Sequence, residues 1–274
     1  MSLAANHIFV VTGAGRGLGC SIAKVAASRA EKENEIRHLI LVGRNRQALE
    51  TVGAEIVSTQ TRTYIIADVE LSQPAQQITR RIMPKIKEVV AELEDSAPIR
   101  LTLVQCAGTI GDLSKTVDQY DEEEIEAYVS LNYVSFSALA AKFLAYAKTI
   151  QSAERITIVN ISSLLAIAPF ANWGLYASIK AARDQLLKVV AIEYAEDLRV
   201  KTLNYAPGPL DNDMQADVRA SIGDEEQKKI YTQLHHEKKL VNETFTAGLL
   251  CDQLDAWDFE SGAHIDIYDI VSPP

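Results

Sequence analysis

The sequence predicts an α/β fold: one doubly wound, Rossmann-type domain that spans residues 1–274 and has a parallel sheet of about seven strands. Three observations support this prediction. Short apolar runs rich in β-branched residues recur along the chain, helical periodicity fills most of the segments between them, and no linker-like stretch of Gly, Pro or Ser divides the 274 residues. Strands that alternate with helices pair in parallel through crossovers, and near-continuous apolar runs are typical of strands covered on both faces.

The predicted strands are the apolar runs at residues 7–12, 38–43, 63–67, 100–106, 155–162, 200–205 and 263–268. Helical periodicity is clearest in residues 74–94, 119–149 and 175–196. The acidic run at 121–124 predicts the solvated start of a helix, because carboxylates suit the positive end of the helix dipole. In a doubly wound sheet, ligands bind beyond the carboxyl ends of the strands, so we expect the functional residues just after each strand.

Composition and charge argue against several classes of protein. The net charge is −10 and no run is rich in Lys or Arg, so we expect no nucleic-acid partner. The longest weakly polar stretch, residues 164–177, is broken by Pro and Gly and is too short to span a bilayer. The N-terminal residues lack the charged region and the cleavage site of a signal peptide.

The cysteines and histidines indicate no metal site. Cys20, Cys106 and Cys251 are scattered and odd in number, which predicts reduced thiols in a cytoplasmic protein rather than disulfides or zinc ligands. The adjacent His235 and His236 would point in different directions on a helix, so a surface position is the simpler interpretation.

The first predicted strand is followed by TGAGRGLG, residues 12–19. Its glycines fit the pattern TGxxxGxG, through Thr12, Gly13, Gly17 and Gly19, and not the more general GxGxxG. Glycines let the backbone turn tightly and approach a ligand closely, and a helix that begins near Gly17 would direct its free N–H groups at a pyrophosphate. In this position the motif favours a nucleotide site over a purely structural turn.

The ends of the next strands bear on which dinucleotide binds. An NAD site would place Asp or Glu after the second strand for the ribose 2′-hydroxyl, but Gly43 and Arg44 stand there, and the glycine-rich turn adds Arg16. Two guanidiniums suit a 2′-phosphate, so we expect NADPH/NADP+ as the cofactor. Asp68, after the third strand, could accept a bond from an adenine amino group or be an ordinary turn residue. Gly108, after the fourth, is small enough for a cofactor to lie against it.

Four polar residues between positions 132 and 180 suggest a reaction. Tyr176 and Lys180 lie four apart in a stretch that predicts helix, so they share one face, and the loop before them can bring Ser163 to Tyr176. Ser163 would hold a ketone oxygen and Tyr176 would protonate it as general acid, while Lys180 would lower the tyrosine pKa from about 10 and bind the nicotinamide ribose. Asn132 is either plain helix surface or a bridge to Lys180 through a water.

These motifs, in this order, resemble the short-chain dehydrogenase/reductase family, whose catalytic set is Asn-Ser-Tyr-Lys. The ordered series extends over roughly 170 residues and consists of TGxxxGxG, Asp68-Val69, Asn132, Ser163 and the YxxxK pair Tyr176 and Lys180.

A closer resemblance is to the members of this family that reduce side-chain ketones of pterins with NADPH. It extends from about residue 8 to 270, and the segments that carry it are CAGTIGDLSK, VNISSLLAIAPFANWGLYASIKAARD, LNYAPGPLDNDM and SGAHIDIYD. The resemblance implies that Asp266 anchors the pterin ring, that Leu164 and Gly208 line the substrate site, and that residues 210–215 cover the nicotinamide. It also implies a cytosolic homodimer.

The motifs and the resemblance together assign the binding residues. The expected cofactor-binding residues are Gly13, Gly15, Arg16, Gly17, Leu18, Gly19, Arg44, Asn45, Asp68, Val69, Gly108, Lys180, Leu210, Asp211, Asn212, Met214 and Gln215. The expected substrate-binding residues are Ser163, Leu164, Tyr176, Gly208 and Asp266.

Two positions depart from the family pattern. The NNAG motif is replaced by residues 105–108, Gln-Cys-Ala-Gly, which puts local stability and cofactor affinity in question more than the reaction. Asn212 stands where Thr is usual, and its amide can still bond a nicotinamide carboxamide.

Two other functions stay open. A broad-specificity NADPH-dependent carbonyl reductase would use the same catalytic residues and make Asp266 incidental. A non-catalytic dinucleotide-sensing protein on the same fold would be expected to lose members of the catalytic set, and all four are present here.

Overall fold

The computed structural model describes residues 5–93 and 97–272. Its centre is a parallel seven-stranded sheet with the strand order β3-β2-β1-β4-β5-β6-β7. The strands are β1 (Ala5–Thr12), β2 (Glu35–Val42), β3 (Thr61–Ile66), β4 (Ile99–Gln105), β5 (Ala153–Ile161), β6 (Val200–Ala206) and β7 (Ala263–Asp266).

Ten α-helices lie within the described ranges. They are α1 (Gly17–Ser28), α2 (Arg46–Glu55), α3 (Ala75–Ala91), α4 (Glu122–Val129), α5 (Ser135–Ala147), α6 (Gly174–Glu193), α7 (Asp213–Ser221), α8 (Glu225–His236), α9 (Glu243–Ala256) and the one-turn α10 (Ile267–Ile270). None of the helices in the part of the chain that the structure describes is both long enough and apolar enough to cross a membrane.

Helices cover both faces of the sheet. The helices α3, α5 and α6 pack on one face against Ile8 and Val10, and α1, α2 and α9 pack on the other against Phe9 and Val11. Successive residues of β1 point to opposite faces and are buried from Asn6 to Thr12, which explains its near-continuous apolar run.

The chain winds away in both directions from the boundary between β1 and β4. These strands are neighbours, with Thr12 opposite Gln105, so the loops that follow them lie together at the carboxyl edge of the sheet. The backbone N–H of Ala107 donates to the Thr12 hydroxyl at 3.2 Å and ties the two loops to each other. Doubly wound sheets bind dinucleotides at this boundary.

The predicted fold class, the single parallel sheet and all seven strands are confirmed. The last strand is shorter than predicted, because the Asp266 side chain accepts a bond from the N–H of Tyr268 at 3.0 Å and starts α10. The predicted helix 74–94 is observed as α3; residue 94, like residues 1–4, lies outside the described residues. The acidic run begins α4 as predicted, with Asp121 as its N-cap.

The predicted helix 119–149 is interrupted. It consists of α4 and α5 joined by a π-helical turn, Ser130–Val134. Such a turn inserts one residue into the helical repeat, and the apolar pattern of this segment does not reveal so local a change. π-Turns inside α-helices are frequent at functional sites, and this one contains Asn132.

Candidate active site

The glycine-rich turn after β1 presents the N-terminus of α1. The N–H of Gly13 donates to the carbonyl of Val42 at 2.8 Å, which fixes the turn on β2. A side chain at Gly19 would place its Cβ 2.4 Å from the Gly13 carbonyl oxygen, so only glycine fits this approach. Arg16, the N-cap of α1, forms no side-chain cap, and the first turn of the helix holds no acidic residue. Its free N–H groups fit a bound anion such as a pyrophosphate.

Leu18, Gly15 and Asn45, which are also expected at the cofactor, differ in which of their atoms are free to contact it. Leu18 is buried in the core beneath the turn, so only its backbone can contact a cofactor. Gly15 lies near α2, where an added Cβ would meet the side chain of Ala48 at 3.4 Å. Asn45, after β2, caps α2 by accepting a bond from the N–H of Ala48 at 3.0 Å.

The arginines expected at the 2′-phosphate are exposed but contact different carboxylates. Arg44 lies 3.6 Å from Glu70, and Arg16 lies 3.2 Å from Asp213. Both pairs are on the surface, where such interactions are weak and readily exchanged for a stronger anionic partner. Arg46, which sequence reasoning missed, adds a third guanidinium, which pairs with Asp68, the residue whose N–H donates to the Arg44 carbonyl.

Asp68 adopts a left-handed backbone with φ of 57°. Its N–H donates to the carbonyl of Arg44 at 3.2 Å, and its carboxylate accepts from Arg46 at 2.9 Å. Val69 is buried, and its N–H donates to the carbonyl of Gly43 at 3.1 Å. Asp68 is therefore a turn residue next to the expected adenine position, and a bond to adenine would require it to share or leave Arg46.

Ser163 and Tyr176 come together as predicted. Ser163 follows β5 and accepts a bond from the N–H of Leu165 at 3.2 Å, which fixes the one-turn 3₁₀ helix that returns the chain to α6. Its hydroxyl lies beside Tyr176, whose ring packs edge-on against Trp173 at 5.2 Å between centroids. Burial raises the pKa of Tyr176 to about 12, against the lowering effects of the nearby Ser163 hydroxyl and the charge of Arg183. Tyr176 therefore does not have the lowered pKa that was expected from Lys180.

Lys180 lies one turn after Tyr176 on α6. Its Nζ donates to the carbonyl of Ile161 at 2.5 Å and sits 5.3 Å from the centre of the Tyr176 ring. Burial and the charge of Arg183 lower the pKa of Lys180 to about 7, while Asp184 acts in the opposite direction. The ammonium is thus held at the end of β5, next to the phenol that it is expected to assist.

Arg183 is a site residue that sequence reasoning missed. Its buried guanidinium lies 4.7 Å from the Phe136 ring centre, and its Nε donates to the main-chain carbonyl of Asn132 at 2.5 Å. Burial lowers its pKa to about 10. Its position three residues after Lys180 on a helix was the available signal, since residues at this spacing share a face.

Asn132 is buried, which excludes the interpretation as plain helix surface. Its side-chain oxygen accepts from the N–H of Thr109 at 3.0 Å, and its Nδ2 donates to the carbonyl of Tyr128 at 3.2 Å. A Cβ on Gly108 would lie 2.9 Å from the Asn132 oxygen, so a residue larger than glycine would disturb this contact. Asn132 holds the loop after β4 against the π-turn.

The expected substrate residues share the carboxyl edge of the last three strands. Ser163 follows β5, Gly208 follows β6 and Asp266 ends β7. A side chain on Gly208, whose φ is 79°, would meet Ile267 at 2.9 Å, so this loop packs directly on the turn that Asp266 starts. Leu164 is half-exposed beside Ser163.

The segment 209–215 lies across the carboxyl edge and is tied to the start of α9. The N–H of Asp211 donates to the carbonyl of Val241 at 2.9 Å, and Leu210 forms a β-bridge with Val241. Asn212 caps α7 by accepting from the N–H of Gln215 at 3.0 Å, and its Nδ2 donates to Glu243 at 2.7 Å. Its amide is therefore already engaged at both ends.

The neighbouring side chains of this segment are unequal in exposure. Met214 is exposed, whereas Gln215 is buried and its Oε1 accepts from Arg219 at 2.5 Å. Glu243 also lies beside the glycine-rich turn, where a Cβ on Gly17 would meet its Oε1 at 3.3 Å. Burial raises the pKa of this carboxyl, with further contributions from Asp213 and Asp211.

The replacement at residues 105–108 is accommodated. Gln105 is buried, and its Nε2 donates to the carbonyl of Phe136 at 3.2 Å, so it joins the end of β4 to α5. Burial raises the pKa of the Cys106 thiol to about 11, so it is not a reactive thiolate at neutral pH.

The comparisons with known proteins agree with this geometry. The chain matches the short chain dehydrogenase family over residues 7–223. It is 34% identical to sepiapterin reductase from Xenopus tropicalis over 264 residues, 95% of each chain, and 35% identical to sepiapterin reductase from Bos taurus over 266 residues, 95% of this chain and 94% of that protein. The crystal structure of the KRED1-Pglu enzyme has a similar fold, with a TM-score of 0.77 at 24% identity over 94% of this chain and 100% of that chain.

The family match covers most of the chain, and the two relatives match it over nearly its whole length. The chain therefore belongs to the short-chain dehydrogenase/reductase family, together with the sepiapterin reductases, and it is an oxidoreductase that acts on ketone or CH–OH groups.

Proposed function

We propose that this protein is an NADPH-dependent reductase of pterin side-chain ketones in tetrahydrobiopterin biosynthesis. Its reactions are the reduction of sepiapterin to 7,8-dihydrobiopterin and of 6-pyruvoyl-tetrahydropterin to tetrahydrobiopterin. The observation that supports the proposal is that Ser163, Tyr176, Lys180 and Asp266 lie at one edge of the sheet, in a chain 34–35% identical to sepiapterin reductases.

The residues that would hold the cofactor are present. The uncapped N-terminus of α1 suits the pyrophosphate, and the exposed Arg44, with Arg46 nearby, suits a 2′-phosphate and favours NADPH over NADH. The bound nicotinamide supplies the hydride. Lys180, whose Nζ donates to the carbonyl of Ile161 at the end of β5, would hold the nicotinamide ribose.

Ser163 and Tyr176 polarise and protonate the ketone. The Ser163 hydroxyl donates a hydrogen bond to the substrate carbonyl oxygen, and Tyr176 transfers its phenolic proton to the same oxygen as it gains negative charge. A phenol is a stronger acid than a secondary alcohol, so this transfer is downhill. The charge of Arg183 favours the phenolate that remains, and the Lys180 ammonium, 5.3 Å from the ring centre, would do the same, because a neighbouring cation favours the anionic form.

Asp266 would recognise the ring at the far end of the substrate. A carboxylate accepts two N–H bonds from the 2-amino-pyrimidine edge of a pterin. Asp266 ends the strand two places from β5, which corresponds to about 10 Å across the sheet. A ligand that meets Ser163 and Asp266 at once must therefore extend beyond its ketone and carry donors at its far end.

The cytoplasmic homodimer is part of the same proposal. The reduced cysteines support the location. Exposed apolar side chains on and near α6, namely Val134, Val189 and Ile192, support a protein partner for that face. Light scattering on the purified protein measures the assembly, and a monomer would contradict this part of the proposal.

Steady-state oxidation of NADPH tests the function, with sepiapterin compared against a small aromatic diketone. The proposal predicts a strong preference for sepiapterin in kcat/KM. Equal or reversed preference would make the protein a broad-specificity carbonyl reductase, and no turnover with either would favour a dinucleotide sensor. Tyr176→Phe should lower kcat about a thousandfold and leave the Kd for NADPH within about twofold, since the lost group acts only on the ketone.

A further inference from the structure

A buried carboxylate outside the catalytic set connects the elements that carry the site. Asp184 lies one helical turn after Lys180 on α6 and is almost fully buried. Its Oδ1 accepts from Nδ2 of Asn160 at 2.9 Å and from the hydroxyl of Ser162 at 2.6 Å. These two residues flank Ile161, whose carbonyl accepts from Lys180. Asp184 therefore fixes the end of β5 against α6, directly before Ser163.

The second oxygen of the carboxylate reaches the last strand. Oδ2 of Asp184 accepts from Nδ1 of His264 at 2.6 Å. His264 stands two residues before Asp266 on β7, so both side chains are on the same face of that strand. Nε2 of His264 is buried and has no hydrogen-bond partner within the described chain. The bond to Asp184 is thus the one hydrogen bond in the described structure that orients the imidazole.

The strand that carries Asp266 is weakly held by its backbone. β7 has four residues and lies at the edge of the sheet, where it pairs with β6 alone. Few ladder bonds fix such a strand, so a buried side-chain contact to α6 contributes a large share of its positioning.

We propose that Asp184 and His264 are positioning residues that set the distance and orientation between the proton donor on α6 and the ring-binding carboxylate of Asp266 on β7. Neither residue needs to contact substrate or cofactor. His264 acts through Asp266, and Asp184 joins it to the helix that carries Tyr176. The inference rests on the proposed function, because the distance between Tyr176 and Asp266 matters only for a substrate that contacts both residues.

The proposal predicts a selective effect on the long substrate. His264→Phe keeps a planar ring but removes the donor, so the KM for sepiapterin should rise about tenfold while its kcat changes less than about threefold. The small diketone does not reach Asp266, and its kcat/KM should change less than about threefold. His264→Asn places an amide N–H near the position of Nδ1 and should restore most of the lost affinity.

Asp184→Asn provides the second variant. Its Oδ1 can still accept from Asn160 and Ser162, but the carboxylate charge is lost, and Nδ1 of His264 can bond the amide NH₂ only after the ring proton moves to Nε2, which has no acceptor in the described chain. Asp184→Asn should raise the KM for sepiapterin as His264→Phe does. The double variant Asp184→Asn/His264→Phe should show no further increase, because both changes break the same contact between Asp184 and His264. Thermal unfolding of each variant shows whether a loss of folded protein explains the change in its kinetic constants.

The outcomes separate this inference from the proposed function. If the wild-type protein does not reduce sepiapterin, both the proposed function and this inference are wrong. If the wild type reduces sepiapterin but His264→Phe lowers kcat/KM equally for both substrates, or His264→Asn restores nothing, only the positioning role is wrong. Additive effects in the double variant would also contradict it.

Discussion

The Nε atom of Arg183 donates a hydrogen bond of 2.5 Å to the main-chain carbonyl of Asn132. This contact joins α6 to the π-turn between α4 and α5 and holds a second buried cation beside Lys180. The guanidinium charge lowers the pKa of Lys180 and also lowers that of Tyr176, so one residue acts on both members of the YxxxK pair.

The pH dependence of NADPH capture should report Lys180. A lysine is cationic below its pKa, and burial with Arg183 lowers this one to about 7. The ammonium is lost as the pH rises through that value, so kcat/KM for NADPH should fall about tenfold per pH unit above it. Arg183→Gln removes the repelling charge and should move this limb to higher pH. The exposed Arg62→Gln serves as control, and a limb that Arg183→Gln leaves in place would contradict the coupling.

Arg44→Glu should alter the choice of cofactor. A charge-assisted contact to a 2′-phosphate contributes about 2 kcal/mol, so we expect the Kd for NADPH to rise at least about thirtyfold and that for NADH by less than about threefold. Arg62 lies at the amino end of β3, away from the carboxyl edge of the sheet, so Arg62→Glu controls for the change in net charge. Equal weakening of both cofactors by Arg44→Glu would disprove the 2′-phosphate assignment.

Glu243→Gln should tighten cofactor binding. The carboxyl lies beside Gly17 at the N-terminus of α1, where it competes with a pyrophosphate for the positive end of the helix. Glutamine keeps an acceptor for Asn212 but removes the charge, so the Kd for NADPH should fall about threefold at low salt and less at high salt. Glu31→Gln, exposed beyond the other end of α1, should change nothing. An unchanged or higher Kd in Glu243→Gln would show that the carboxylate does not oppose the phosphates.

The amino ends of the strands hold a buried ionic cluster that should make stability depend on pH. Glu35 accepts from His7 at 3.3 Å and from Arg37 at 3.2 Å, and it also contacts Arg100. Burial would raise its pKa, but the His7 hydrogen bond and the cationic neighbours outweigh burial and lower it to about 2. Burial also lowers the pKa of His7.

The lowered pKa values of Glu35 and His7 both make the protein less stable as the pH falls. The unfolded chain binds more protons than the folded chain below the ordinary pKa of each group, so stability falls as the pH drops from 6.5 through 4.5 towards 2. Glu35→Gln leaves buried cations without their partner and should lower the free energy of unfolding by about 3 kcal/mol at pH 7. The deficit should shrink between pH 5 and pH 3 in urea titrations, with Glu31→Gln as control. A deficit that stays constant over this range would contradict the account.

The fold was predictable because its signals are local. Each strand is a short apolar run, and the glycine-rich turn sits at a fixed place after the first of them. Ser163 and Tyr176 were also predictable, because Pro169 and Gly174 let the chain between them turn back and Tyr176 belongs to the YxxxK pair on a predicted helix. The π-turn was not, because the single residue that it inserts into the helical repeat is not distinguishable in the apolar pattern of residues 119–149.

The residues that sequence reasoning missed depend on tertiary contacts. Arg183 and Asp184 follow Lys180 in a sequence that reads as a charged, solvated helix face. Both are buried, because Asn132, Ser162 and His264 supply partners from distant parts of the chain. The helical spacing places Arg183 and Asp184 near Lys180, but it does not predict these partners, which lie far away in the sequence.

The central claim is that Asp266 makes this reductase specific for a pterin, and Asp266→Ala tests it most directly. Steady-state NADPH oxidation by wild type and variant is measured with sepiapterin and with a small aromatic diketone. Loss of the carboxylate should raise the KM for sepiapterin about a hundredfold, as expected for two charge-assisted hydrogen bonds, and leave the diketone within about threefold. Equal losses on both substrates would show that Asp266 is structural and would contradict the pterin assignment.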